Sequence, residues 1–246
     1  MKQEKLDKVI ELIKNSKHCV VFTGAGISVE SGIAPFRGEG GTWGKFDPKI
    51  LELTYFKANP AEAWEMIKSR FVGEDVKPNI AHNVIAMMEK EGLIKSVITQ
   101  NVDNLHQMAG SKNVIELHGN AHSLVCMECG IKRPLSNDEI LGDIRECSSC
   151  GGVLKPNFTF FGENLPVDAI TRGYEEIEKC DLMIIIGTSG EVYPAASLPR
   201  DARDKGAKII EINPDISNYS IMVTNEYVGD KAGVAFEQIG KSLGFI

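Results

Sequence analysis

Apolar positions at helical spacing open the chain. Leu6, Val9, Ile10, Leu12 and Ile13 share one face, which predicts an amphipathic helix ending near Ser16. A short apolar run at 19–22 follows and predicts a buried strand, and similar runs recur at 97–99, 114–117, 182–186 and 208–212. Helical patterns such as those at 61–72 and 82–91 separate most of these runs. Strands alternating with helices predict the α/β class, with a Rossmann-like, doubly wound parallel sheet.

Between Gly119 and Pro156 this rhythm gives way to polar residues, turns and four cysteines, after which it resumes to the C-terminus. The expected organisation is therefore a larger domain made of 1–118 and 157–246, interrupted by a small module at 119–156. No internal repeat or low-complexity segment suggests a solenoid or a tail.

The inserted cysteines form two CxxC pairs, Cys126 with Cys129 and Cys147 with Cys150. Zn²⁺ favours four tetrahedral ligands, and thiolates two residues apart grip it from one tight turn, with Gly130, Gly151 and Gly152 easing the backbone. The spacing is that of a zinc ribbon. Four thiolates leave no position for water or substrate, so one structural Zn²⁺ is expected. Cys19 and Cys180 each border an apolar run and read as buried core thiols.

Composition narrows the field. An apolar content of 43% and a charged content of 25% over 246 residues are ordinary for a soluble globular protein. The formal charge of −7 and the lack of a lysine or arginine cluster argue against nonspecific duplex binding and favour basic partners. The ribbon also lacks aromatics interleaved with basic residues, so no direct contact with nucleic acid is expected. No apolar run approaches the roughly 18 residues of a membrane span. These features predict a soluble, cytoplasmic protein without membrane partners.

Thr23-Gly24-Ala25-Gly26 directly after a buried strand suits close backbone approach to a pyrophosphate, because glycines remove side chains and free amides for the anion. Alone, this GxG is equally an ordinary tight turn, and the usual third glycine is missing. The longer stretch from Gly24 through Ile27, Ser28, Val29 and Gly32 to Phe36-Arg37-Gly38 closely resembles the opening motif of the sirtuins of prokaryotic type. Gln100-Asn101-Val102-Asp103, His118-Gly119, the cysteine pairs, Phe161-Gly162-Glu163, Gly187-Thr188-Ser189, Val192-Tyr193-Pro194 and Asn213 follow in that family's order. The resemblance covers nearly the whole chain.

Sirtuins are NAD-consuming protein deacylases. In them the acyl oxygen of an acyl-lysine attacks the nicotinamide ribose, nicotinamide leaves, and an alkylimidate resolves to O-acyl-ADP-ribose. The resemblance implies that Gly24, Ala25, Gly26, Ser28, Val29, Gly187, Thr188 and Ser189 hold pyrophosphate and ribose, with Asn213, Lys231 and Ala232 nearer the adenosine. Gln100, Asn101, Val102 and Asp103 would hold nicotinamide, although by position alone Asp103 reads as a helix N-cap ahead of Leu105 and Met108. The same segment would bring His106 near the cofactor.

His118 is the expected general base, with Asn101 as its catalytic companion. It ends a buried strand at the carboxyl edge of the sheet, where α/β ligands bind, yet by position alone a structural histidine is the commoner reading, and only the family's motif order overturns it. Phe36 resembles a mobile apolar shield over the reactive carbon, and Arg37 would approach phosphate or ribose, in a loop with Gly38, Gly40 and Gly41. An acyl-lysine protein or peptide is expected to add as a strand between Phe161-Gly162-Glu163 and Gly190-Glu191-Val192-Tyr193, with an acidic rim suited to lysine-rich flanks.

Departures from the family pattern are Ala34 and Pro35, Val102 for isoleucine, and Gly190 for leucine. Arg70 stands where succinyl-removing sirtuins place an arginine, but their tyrosine is absent, so deacetylation is favoured. Protein ADP-ribosyl transfer and a noncatalytic NAD-binding scaffold are the competing readings.

Overall fold

The computed structural model describes residues 1–37, 40–44, 47–71, 76–136 and 146–246, without the side chains of 69–71. Six strands form one wholly parallel sheet: β1 (Cys19–Thr23), β2 (Ser96–Thr99), β3 (Val114–Glu116), β7 (Leu182–Ile186), β8 (Lys208–Ile212) and β9 (Glu226–Val228). Their order is β3-β2-β1-β7-β8-β9, so the direction of winding reverses between β1 and β7. Five of these strands were legible as apolar runs. The sixth, with Tyr227 and Val228 as its apolar residues, is too short to stand out.

Both faces of the sheet are covered, which is why its strands read as unbroken apolar runs. Val21, Ile184 and Ile186 point to one face and pack with Val9 and Ile13 of helix Gln3–Asn15, Val84 and Ile85 of helix Ile80–Lys90, and Phe236 of helix Ala232–Leu243. Val20, Phe22, Met183 and Ile185 point to the other, against Ile177 of helix Val167–Ile177 and Leu198 of helix Leu198–Asp204. The period of two along each strand thus feeds two separate cores.

A second, antiparallel sheet has the order β5-β4-β6, from β4 (Gly119–Cys126), β5 (Lys132–Pro134) and β6 (Leu154–Phe158). Helices Leu53–Ala58 and Pro60–Phe71 pack against it: Phe56, Trp64 and Ile67 share a core with Leu124, Leu154, Phe158 and Phe160. The helix expected at 61–72 therefore exists, but its apolar face belongs to this third core. Trp64 Nε1 donates to the Leu154 carbonyl at 2.9 Å, tying helix to sheet. Cys19 and Cys180 are both buried in the parallel-sheet cores, and burial pushes the Cys180 thiol up to about 12. Among the described residues no helix is long and apolar enough to cross a membrane.

Candidate active site

The carboxyl ends of β1 and β7 lie side by side where the winding reverses, and the loops that leave them cross at glycines. Gly26 N–H donates to the Gly187 carbonyl at 2.8 Å, and Gly24 N–H to the Ile186 carbonyl at 3.0 Å. A Cβ on Gly26 would stand 2.5 Å from the Gly187 Cα, and one on Gly187, whose φ is +61°, 2.4 Å from the Ile27 nitrogen. No side chain fits at that crossing, so these glycines are needed for loop contact as well as for any approach by phosphate.

The loop after β2 is hydrogen-bonded to the first of these loops. Asn101, which is buried, donates through Nδ2 to the Gly24 carbonyl at 3.1 Å and to Ser28 Oγ at 3.2 Å. Ser28 Oγ donates in turn to Asp103 Oδ2 at 2.7 Å, while Asp103 Oδ1 accepts from Leu105 N–H at 3.0 Å. Asn104, not Asp103, holds the N-cap position; Asp103, one residue before it, accepts from the first N–H of the helix and also fixes Ser28. Behind this loop, His106 and Thr23 are joined at 3.1 Å, Thr23 donates to Thr99 at 2.8 Å, and His106 meets His82 edge-on with ring centroids 4.9 Å apart. Both imidazoles are buried, and burial lowers both, His82 to about 4.

His118 lies in the step between β3 and β4, its carbonyl accepting from Thr159 N–H at 2.8 Å. Its Nδ1 is 2.9 Å from the Gln100 carbonyl. A carbonyl only accepts, so Nδ1 carries the proton and Nε2 keeps its lone pair in the neutral ring. Burial lowers the pKa of His118, and the bond to Gln100 opposes that shift in part.

Two clefts meet at His118. The first, about 420 Å³, is lined by Gly24, Ala25, Gly26 and Val29, by Gly187, Thr188 and Ser189, by Gln100 and Asn101, and by Asn213, Lys231 and Ala232 at its far end. The second, about 180 Å³, is lined by Phe161, Gly162, Glu163, Val192 and Tyr193 together with Val102, Trp43 and Phe158. Phe36, Arg37, Gln100, His118 and Val192 belong to both. Phe36 rests on Trp43 with centroids 5.2 Å apart. Ser28 and Asp103 stand behind the wall of the first cleft, braced against Asn101. The Arg70 side chain and Gly38 lie outside the described residues.

Several lining residues escaped the sequence reading. Glu30 accepts from Gly233 N–H at 2.6 Å, fastening the segment after β1 to the start of helix Ala232–Leu243. Asp215, Ile216 and Ser217 line the far end of the first cleft. Ser217 Oγ donates to the fully buried Glu211 at 2.5 Å, and Thr224 donates to the other oxygen of that carboxylate. The position of this loop after the carboxyl end of β8 was the signal that could have found it.

The expected acidic rim is absent in electrostatic effect. Glu191 pairs with Arg37 at 2.9 Å across the cleft mouth, and Glu163 turns inward to Lys155 at 3.0 Å and to Phe160 N–H at 2.8 Å. Each acid already faces a cation. The Phe161 main chain is also engaged, donating to the Leu51 carbonyl and accepting from Leu53 N–H. Among the departures, Pro35 accepts through its carbonyl from Thr42 N–H at 2.8 Å, which closes the base of the Phe36 loop.

The four sulfurs of Cys126, Cys129, Cys147 and Cys150 lie within 4.8 Å of one another. Two pairs are 3.5 and 3.8 Å apart, close to the roughly 3.8 Å edge of a tetrahedron with Zn–S bonds of about 2.3 Å. Backbone N–H groups, that of Ser149 foremost, pull the Cys147 thiol down to about 6, whereas at Cys150 the lowering by the Gly152 N–H is outweighed by the neighbouring sulfurs, which push that thiol up to about 12, so the geometry rather than the acidity of the thiols carries the metal reading. The set fits a closed, structural zinc site, distant in kind from the clefts.

Comparison with known proteins supplies the family. The Sir2 family model matches residues 24–194. An NAD-dependent protein deacetylase of Thermodesulfovibrio yellowstonii is 47% identical over 221 residues, 85% of this chain and 84% of the relative. NAD-dependent protein deacylase 2 of Archaeoglobus fulgidus is 42% identical over 245 residues, 96% and 95% of the two chains. A solved Sir2 complex with a p53 peptide and NAD+ superposes with a TM-score of 0.91 at 33% identity over 100% of both chains.

Proposed function

The chain belongs to the Sir2 family and is an NAD-dependent protein deacetylase or deacylase with a structural zinc site, and we propose the following division of labour among its residues. The observation that carries it is the meeting of a cofactor-sized cleft and an apolar groove at one imidazole, His118, whose Nε2 is free to take a proton.

NAD, when bound, supplies an electrophilic ribose carbon. In this reading Gly24, Ala25, Gly26, Ser28, Val29, Gly187, Thr188 and Ser189 surround the pyrophosphate and ribose, and Asn213, Lys231 and Ala232 the adenosine end. Gln100, Asn101, Val102 and Asp103 orient the nicotinamide end, and the fixed Asn101–Ser28–Asp103 chain lowers the cost of that orientation. His118 removes a hydroxyl proton at Nε2, while the bond from Nδ1–H to Gln100 holds its ring in place. Phe36, seated on Trp43, keeps water from the junction of the clefts. Arg37, still paired with Glu191 at the mouth of the first cleft, approaches a phosphate or ribose oxygen.

The acyl-lysine enters through the groove between Phe161-Gly162-Glu163 and Glu191-Val192-Tyr193, its backbone adding at Gly162 because Phe161 is already paired. Acetyl is the favoured acyl group, with Arg70 assigned to acidic acyl groups as a lesser activity. The domain division at 119 and 156 is part of the same reading, with helices 53–71 contributing to the core of the inserted module. So are a cytoplasmic location, which keeps thiolate ligands reduced, and a substrate that is protein rather than nucleic acid.

Mass spectrometry of acetylated and succinylated lysine peptides, incubated with the protein with and without NAD, tests the reading. The expected outcome is NAD-dependent loss of acetyl with an equimolar yield of O-acetyl-ADP-ribose and nicotinamide. Labelled adenylate retained on protein, without loss of acetyl, would replace it with ADP-ribosyl transfer.

A further inference from the structure

One wall of the acyl-lysine groove is held from behind by a buried cation. Lys155 lies in β6, is paired across the sheet with Val125 of β4, and is 7% exposed. Its ammonium donates to the Phe158 carbonyl at 2.8 Å and to the Pro156 carbonyl at 3.3 Å, and pairs with Glu163 Oε2 at 3.0 Å. The same ammonium stands 4.6 Å from the centroid of the Phe160 ring. Its three N–H groups thus have three oxygens within reach, and a neutral side chain at 155 would leave the Phe158 carbonyl and the Glu163 carboxylate without the cation that joins them.

The partners of Lys155 build this wall. Glu163 Oε2 accepts from Phe160 N–H at 2.8 Å, and Glu163 N–H donates to the Phe160 carbonyl at 3.0 Å, which closes a turn over 160–163. Within the turn Gly162 has a φ of +90° and open space where a Cβ would stand, at the point where the peptide backbone is expected to add. Phe158 stacks on Phe160 with ring centroids 5.0 Å apart. Phe158, Phe160 and Glu163 line the second cleft, and none of the three lines the first. Lys155 itself lines neither, so any effect it has on the reaction passes through Glu163 and Phe158.

We propose that Lys155 is a positioning residue for the acyl-lysine groove, holding the turn around Gly162 through Glu163 and the Phe158 carbonyl, and thereby setting affinity for the peptide and not for NAD. The proposal rests on the acyl-lysine groove assigned above. An open glycine in a turn has little of its own to fix it, and an ion pair to a sheet strand supplies an anchor that a loop alone lacks. Glu163, which looks like part of a negative rim, is then an internal strut of the wall.

The test compares wild type with Lys155→Met, Lys155→Arg and the double variant Lys155→Met/Glu163→Gln. Binding of a labelled acetyl-lysine peptide is measured by anisotropy, binding of NAD by calorimetry, and KM and kcat by mass spectrometry, alongside melting temperature and zinc content. Lys155→Met should weaken peptide binding and raise the peptide KM by about tenfold, short of the roughly hundredfold that a displacement of about 1 Å can cost. The NAD affinity and KM should stay within about twofold of wild type, and Lys155→Arg, which keeps the cation, should recover most of the peptide affinity. The double variant separates positioning from stability. Removing both charges should restore the melting temperature, because no buried charge is left unpaired, while peptide binding stays weak because residue 163 is no longer tied to Phe158. Peptide affinity that returns with stability, or NAD binding that weakens in parallel, overturns the proposal, and so does a failure of both Met variants to fold. Turnover with an unchanged peptide KM in the folded variants defeats this proposal alone. The expected binding pattern without loss of acetyl in wild type defeats the deacylase reading and leaves the positioning role standing.

Discussion

Gly190 and Tyr219 compete for one space. A Cβ at Gly190 would lie 2.8 Å from two carbons of the buried Tyr219 ring, and Gly190 itself has a φ of +71°. Tyr219 fills the volume beneath the groove wall and donates to the Ala196 carbonyl, fixing the turn that follows Tyr193. The glycine that departs from the family's leucine is thus matched to an aromatic residue from a distant loop. Gly190→Ala should cost about 1–3 kcal/mol through backbone strain and overpacking together. Urea denaturation measures it, and a loss below experimental error would separate the two residues.

His118→Ala should lower kcat/KM by about 10²–10⁴, the usual contribution of a general base, without changing the melting temperature by more than a surface substitution does. In the wild type, kcat/KM should rise with pH along a limb whose midpoint lies below the ordinary imidazole value of 6.5, because burial favours the neutral ring. Full activity in the variant, or a limb above that value, counts against the assignment.

Stability should fall in mild acid. His82 is lowered to about 4 from 6.5, by burial above all, and His106 is lowered by burial and then by His82. Below pH 6.5 the unfolded chain therefore binds protons that the native pair refuses, and native stability declines as pH drops toward about 4. The urea midpoint followed across this window should fall less steeply in His82→Gln. Parallel slopes in the two proteins would remove the pair from the explanation.

Metal analysis should find one zinc per chain, and Cys129→Ser should lose it. Because Cys126 and Cys147 share a core with Trp64, the change should be visible in tryptophan fluorescence as well as in melting temperature. A zinc-free variant with unaltered fluorescence and melting would mean that the four cysteines do not support that core.

Glu211→Ala should loosen Ser217 and the loop at the far end of the first cleft, raising the KM for NAD more than it changes kcat. Glu211→Gln, which retains a hydrogen-bonding group, should keep part of the effect from appearing. An equal loss in kcat would place the carboxylate in another role.

Much of this protein was legible before its structure. Five of six parallel strands, the glycine turn after β1, the cysteine spacing and the position of His118 after β3 are properties of neighbouring residues, and periodicity or motif order exposes them directly. What only the tertiary structure decided involves partners far apart in the chain. Helix Pro60–Phe71 has an apolar face that could serve any core, and packing alone gives it to the zinc-site sheet. Glu163 and Glu191 look like a negative rim in sequence, yet Lys155 and Arg37 neutralise them, because electrostatics depends on distance in space and not on spacing along the chain. Gly190 reads as an unexplained departure until Tyr219 occupies its volume.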